Sequence, residues 1–169
     1  MIVEFIPIFI DEFERVQYYT VRLEGRAVSE FKDFQTRLGK NAEDRVELSE
    51  INRYIEKIGN EYGAYPEHFR HEEAAEALPP GYHTFIETDN YNDYGLRLYC
   101  IRLCPSVVIL LNGDRKVNQK AQRCPNCRPH FEKASIISKA INRAIVDGYM
   151  RVVDEKMELE IDGDFELEI

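Results

Sequence analysis

The sequence predicts an α+β fold: an antiparallel sheet with two N-terminal-half helices and one C-terminal-half helix packed on it, plus extra N-terminal strands and a C-terminal β-hairpin. Three observations carry that expectation. β-branched and aromatic runs cluster near the N-terminus and again around 96–112. Apolar residues recur at helical spacing in two adjacent stretches between 27 and 61, and once more after Pro129. The segment 156–169 alternates apolar and acidic side chains.

Residues 2 to 10 and "VQYYTVRL" (16 to 23) read as strands, the first fully buried, with Gly25 closing the second. Ala27, Phe31, Phe34 and Leu38 then recur at helical spacing and Gly39 supplies a stop. Leu48, Ile51, Ile55, Ile58 and Tyr62 continue the pattern, predicting a longer helix over about 45 to 61 that ends before Gly63. Residues 64 to 94 contain "LPPGYH" and "TDNYNDYG" and read as a long connection with a short helical turn at "EEAAEA".

After Gly95, "LRLYCIRL" places Leu96, Leu98 and Cys100 on one side and Arg97 and Tyr99 on the other, and the alternation slips at Cys100 and Ile101, which predicts a bulge or a two-sided strand. Pro105 and Ser106 turn the chain, and "VVILLNG" returns as an antiparallel core strand. Phe131, Ala134, Ile137, Ile141 and Ala144 mark the last helix, with Lys139 and Arg143 on its outer face. In "KMELEIDGDFELEI" the Asp162–Gly163 pair predicts the turn of a hairpin with one apolar and one acidic face.

A chain of 169 residues with 44% hydrophobic and 31% charged residues suits one globular domain that needs no staple. The expected division is N-terminal strands (1–26), core (27–146) and acidic C-terminal hairpin (147–169). The longest apolar run, "FIPIFI", is far short of the roughly 20 residues that span a bilayer, and "MIVEF" lacks the basic start of a secretory signal. A cytoplasmic protein without membrane contact is therefore expected. The net charge of −9 hides an asymmetry: residues 94–145 hold ten Lys or Arg against Asp114 and Glu132, a segment of +8 that leaves −17 elsewhere. This pattern predicts a basic working surface on an acidic body.

"QRCPNCRPHF" (122–131) carries Cys124 and Cys127 at CxxC spacing. A zinc site would need Cys100 and Cys104 to join them, yet along a regular strand those two are about 13 Å apart. A redox centre would place a cysteine in the first helical turn, whereas Pro129 reads as the first helical residue, with both cysteines upstream. The thiols are therefore read as semi-buried turn residues with no metal and no cofactor, and a CxxC redox protein is the third functional alternative.

The densest polar constellation is Arg97, Tyr99 and Arg102 before the turn, with Arg115, Lys116 and Lys120 after it and Arg123, Arg128 and His130 bordering it. Strand-borne Arg and Tyr followed by a basic loop suit a groove for RNA phosphates. The stretch "YGLRLYCIRL", "SVVILLNGDRKVNQKAQ" and the following helix resembles the RelE/ParE superfamily of toxins from toxin-antitoxin modules, in its HigB-like, phage-derived branch, over residues 94–145. The two upstream helices fit that family's α-then-β order.

The resemblance implies a RelE-like fold, an antitoxin partner and, in many members, metal-independent, ribosome-dependent mRNA cleavage. In that chemistry a 2′-hydroxyl attacks the neighbouring phosphate, so proton transfer and cations are required. The expected catalytic set is Arg97, Tyr99, Lys116 and Lys120, with Arg102, Arg115, Arg123, Arg128 and His130 binding RNA. Arg115 is expected to depress the Lys116 pKa as a neighbouring cation. The chain departs from the pattern at Asn112, where HigB-like sequences often carry a His, and at Arg115, which replaces part of a Lys pair. The alternative is a non-catalytic module of the same fold that docks an antitoxin-like protein.

Overall fold

The structure is a computed structural model that describes residues 1–81, 94–117, 120 and 123–169. Its order is β1 (Ile2–Ile8), β2 (Gln17–Leu23), α1 (Glu30–Leu38), α2 (Ala42–Lys57), β3 (Arg70–Glu72), β4 (Ala75–Leu78), β5 (Gly95–Cys104), β6 (Val107–Lys116), α3 (Arg128–Val146), β7 (Met150–Val153), β8 (Glu158–Ile161) and β9 (Leu167–Glu168). This is the expected α+β class. Seven strands form one sheet in the order β3-β4-β5-β6-β2-β1-β9, and β7 and β8 form a separate pair. Among the described residues no helix is long and apolar enough to cross a membrane.

Both faces of the sheet are covered. Helices α1 and α2 bury Phe34, Leu38, Ile51 and Ile55 against Leu96, Leu98, Cys100, Val108 and Leu110. On the opposite face Phe131, Ala134, Ile137 and Ile141 of α3 pack on Tyr99, Ile101, Val107, Ile109 and Leu111. The alternation in β5 thus separates two interiors, and its polar members face a core rather than water.

Sequence start signals place the helices. Ser29 accepts a hydrogen bond from the Lys32 amide at 3.2 Å and caps α1, and Asn41 accepts one from the Asp44 amide at 2.8 Å and caps α2. Ala27 therefore falls outside α1. Helix α2 passes into a wide turn, Ile58–Tyr62, that ends at Gly63, where φ is +79° and glycine is favoured.

Four local expectations are corrected. Strand β1 is not fully buried: only Val3 is, because beyond it lies just the two-residue β9. "EEAAEA" is no helical turn but the β3–β4 hairpin, in which small Ala77 pairs with Tyr99 and sheet pairing overrides the local preference. The C-terminal strand pair turns at Asp154–Met157, not at Asp162–Gly163. Strand β8 pairs with β7 and β9 crosses to β1, so that Leu159 and Leu167 both reach the α3-side core. Finally, α3 begins at Arg128, and Cys127 is its N-cap.

One irregularity positions the site. Strand β2 runs parallel to β6, with its register at Gln17↔Val107, Tyr18↔Val108 and Tyr19↔Ile109. Farther along β6 its neighbour is α1, whose Arg37 Nη2 donates to the Gly113 carbonyl at 2.7 Å. The β5–β6 register shifts at the same level, from Leu98↔Gly113 to Cys100↔Leu110. This bulge, expected near Cys100, divides the hairpin into an apolar turn half and a polar open half.

Candidate functional site

The open half begins where the apolar run of β6 gives way to Asn112, Gly113, Asp114, Arg115 and Lys116. Gly113 allows the two strands to meet: a Cβ there would lie 1.7 Å from the Arg97 carbonyl oxygen. Arg97 pairs in register with Asp114, and its side chain is 0% exposed. Its Nη1 donates to the carbonyls of Leu96 at 3.0 Å and Tyr94 at 3.4 Å. Burial, then the neighbouring Arg70, lowers its pKa to about 10.

Tyr99 is also 0% exposed, with its ring edge-on to Phe131 at 6.0 Å and its hydroxyl against the Cys127 thiol. Burial first, then Cys127 and Glu72, raises the phenol well above its ordinary value. Lys116, 6% exposed, closes the open end opposite Gly95.

A polar seam fills the place that β2 leaves. Asn112 is its hub: Nδ2 donates to Glu30 Oε2 at 2.9 Å and Asp33 Oδ2 at 2.8 Å, while Oδ1 accepts from Arg37 Nη2 at 2.7 Å. Arg37 also donates to Asp33 at 2.8 Å and Asp114 at 3.1 Å, and Lys133 pairs with Glu30 at 3.3 Å. Burial alone would raise the Asp33 carboxyl, but hydrogen bonds from Asn112 and Arg37 hold it below the usual carboxylate range. His130 looks into the seam from α3. Burial, then Arg37 and Lys133, lowers its pKa, so its imidazole is neutral at pH 7, and Nδ1 has no hydrogen-bond partner among the described residues.

The nine expected site residues are thus dispersed. Arg97, Tyr99 and Lys116 lie in the open half beside α3, and His130 borders them. Arg102 lies five residues farther along β5, about 17 Å from Arg97, with its Nη1 on the Ala64 carbonyl at 3.3 Å and Nε 3.9 Å from Glu76. Arg115 points to α2, where Asp44 holds it at 2.6 Å and Glu47 also binds it. Its charge is therefore balanced by carboxylates of α2, on the far side of the strand from Lys116. Lys120 and Arg123 are exposed, and Arg128 is exposed but paired with Glu132 at 2.8 Å. The expected basic working surface is corrected: most of its cations meet carboxylates of the chain or lie in the core.

Sequence reasoning missed Glu30, Asp33, Arg37, Asp114 and Lys133. The available signal was the break from "VVILL" to "NGD", together with an Asp33–Arg37 pair at i,i+4 spacing. The thiols are not semi-buried but fully covered, and Cys100 lies on the other face of the sheet, so the four cysteines do not converge. Among the described residues no three His, Cys, Asp or Glu side chains form a metal-ligating group.

Outside the hairpin, a groove of about 810 Å³ runs between α1, α2 and the chain after β1. Phe9, Phe13 and Phe31 line it, with Phe9 5.4 Å from Phe13 and 6.1 Å from Phe31 between ring centres. Exposed Glu12, Lys32, Asn52 and Glu56 form its rim. Aromatic walls and a wet rim are the anatomy of a docking groove. In comparisons with known proteins, no family model matches the chain, and no curated protein or solved structure does.

Proposed function

We propose that this protein is a non-catalytic interaction module of RelE/HigB-like build that docks an antitoxin-like protein. The observation that carries this reading is the state of the expected RNA-facing side chains: Arg97 and Tyr99 are fully buried, and Arg115 is held by Asp44 and Glu47. A groove with three phenylalanines offers a partner apolar anchorage, and Glu12 and Glu56 on its rim favour an amphipathic segment with basic flanks. The test is co-purification with the product of a neighbouring helix-turn-helix reading frame. Glu12→Lys with Glu56→Lys, both exposed, is expected to weaken the complex at least tenfold without changing the melting temperature. An unchanged complex contradicts the assignment of this groove, and absence of any complex contradicts the module reading.

A second reading, an RNA-cleaving toxin, is favoured by one observation: Arg97, Tyr99 and Lys116 share the open half of the hairpin, with neutral His130 on the helix beside it. A phosphate held by the two cations and a proton moved by the imidazole would suit attack by the 2′-hydroxyl. Cleavage then requires the covered side chains to become accessible. Growth arrest and RNA cleavage by the wild type, both lost in folded Lys116→Ala and in Arg97→Ala with Lys116→Ala, would replace the first reading with this one.

A further inference from the structure

Cys124 and Cys127 stand apart from both readings. The Cys124 carbonyl accepts the Arg128 amide at 2.9 Å, and the Cys127 carbonyl accepts the Phe131 amide at 2.8 Å. Residues 124–128 therefore form one helical turn running into α3, and side chains three apart on such a turn have Cβ atoms about 5–6 Å apart. A disulfide needs Cα atoms within roughly 4.4–6.8 Å and slightly closer Cβ atoms, so a small closure suffices.

Both thiols point at the same stretch of chain. Cys127 Sγ donates to the Asp114 carbonyl at 3.6 Å and Cys124 Sγ to the Arg115 carbonyl at 3.7 Å, while the Val117 amide donates to Cys124 Sγ at 3.5 Å. They fasten the end of β6 to the start of α3. Both thiols are covered, but Arg123, Pro125, Asn126 and Arg128 beside them in the chain are all exposed. The other cysteines are poor competitors: Cys100 is buried on the opposite face, and Cys104 sits at the far end of the hairpin beside Ser106.

We propose that Cys124 and Cys127 form a reversible intramolecular disulfide, with a hydroperoxide as oxidant, that unfastens the end of β6 from α3. Cys124 is the attacking sulfur. Burial would raise its pKa, but amides of Val117, Cys127 and Asn126 and the Cys127 thiol outweigh that and lower it, whereas burial, then Cys124, pushes Cys127 up to about 12. The Cys124 thiolate attacks one peroxide oxygen. The O–O bond breaks, the departing alkoxide takes a proton and leaves as the alcohol, and Cys124 becomes a sulfenic acid. The Cys127 sulfur, losing its proton to the leaving hydroxide, attacks the Cys124 sulfur, the S–O bond breaks and water departs. Two thiols are oxidised and one hydroperoxide is reduced to an alcohol and water. Neither S–H then remains to donate to the Asp114 and Arg115 carbonyls.

The test treats the reduced full-length chain with stoichiometric hydrogen peroxide and follows intact mass, linked peptides and amide hydrogen exchange. Expected are loss of two hydrogens, a peptide joining 124 to 127, several-fold faster exchange at Val117, and reversal by dithiothreitol. Cys127→Ser should stop at a sulfenic acid on Cys124 that dimedone traps. Oxidation of Cys104 ahead of Cys124, or wild-type mass unchanged by peroxide, would overturn the proposal, and the wild-type result stands even if the variant folds poorly. A linked pair with unchanged exchange at Val117 would overturn the unfastening.

Discussion

The two halves of the β5–β6 hairpin are built from the same two strands and are buried to a similar degree, yet they are chemically opposite. Toward the turn, Cys100, Ile101, Val107, Val108, Ile109 and Leu110 fill two apolar cores, and β2 lies alongside to complete the sheet. Toward the open end β2 has departed, α1 takes its place, and the interior holds Arg97, Asn112, Asp114 and Lys116. A change of neighbour, from strand to helix, converts a hydrophobic core into a network of hydrogen-bonded polar and charged groups. An interior of the second kind depends on geometry, because each buried polar group requires its partner.

The sharpest break of this comparison is Gly113→Ala. A Cβ placed 1.7 Å from the Arg97 carbonyl cannot be accommodated without separating the strands, so a loss of more than about 4 kcal/mol is expected by denaturant unfolding. In the turn half, Leu110→Ala should cost about 2–5 kcal/mol from lost burial and a cavity. In the open half, Asn112→Ala leaves Glu30 and Asp33 without their shared donor, and about 1–3 kcal/mol is expected. Equal losses from Leu110→Ala and from exposed Arg128→Ala would erase the distinction, since a solvent-exposed pair such as Arg128–Glu132 should contribute little to stability.

The smallest effect is pH dependence. The folded pKa of His130 is depressed by burial, then by Arg37 and Lys133, so the unfolded chain binds the proton more readily. Its share of stability is present above the unfolded value near 6.5 and is lost as pH falls below it toward the folded value. His130→Gln should therefore flatten the fall in denaturation midpoint between about pH 7.5 and pH 5. His68, also depressed by burial, adds to the slope in the same sense. Asp33 acts in a separate window: its contribution is lost only as pH drops below the ordinary carboxylate value of 3.8.

Much of this fold was legible in the chain because local signals and packing agree. The periodicity of Phe31, Phe34 and Leu38, and of Leu48, Ile51 and Ile55, marks the helical faces that are buried, and the slip at Cys100 marks the real bulge. The site was less legible. Alternation in β5 identified Arg97 and Tyr99 as sharing a face, but not that α3 would cover it, because alternation separates two faces without saying which is wet. Partners distant in sequence hid the rest: Asp44 for Arg115 and Glu30 for Asn112 are 71 and 82 residues away. The acidic tail misled for a related reason. Asp162–Gly163 is a good local turn signal, but burying Leu159 and Leu167 in the same core requires β8 and β9 to take different partners. The "TDNYNDYG" turn cluster lies almost wholly outside the described residues.

Most cations of the 94–145 segment, among them Arg97, Arg102, Arg115, Lys116, Arg128, Lys133 and Arg143, are covered or held by partners within the molecule, which weakens the segment as a phosphate-binding surface. Fluorescence anisotropy of labelled single-stranded RNA, titrated with the full chain between low and physiological salt, measures this directly. No saturable binding is expected at physiological salt. Saturable binding that weakens steeply with salt, as release of several counterions requires, and that Lys116→Ala abolishes, would contradict it.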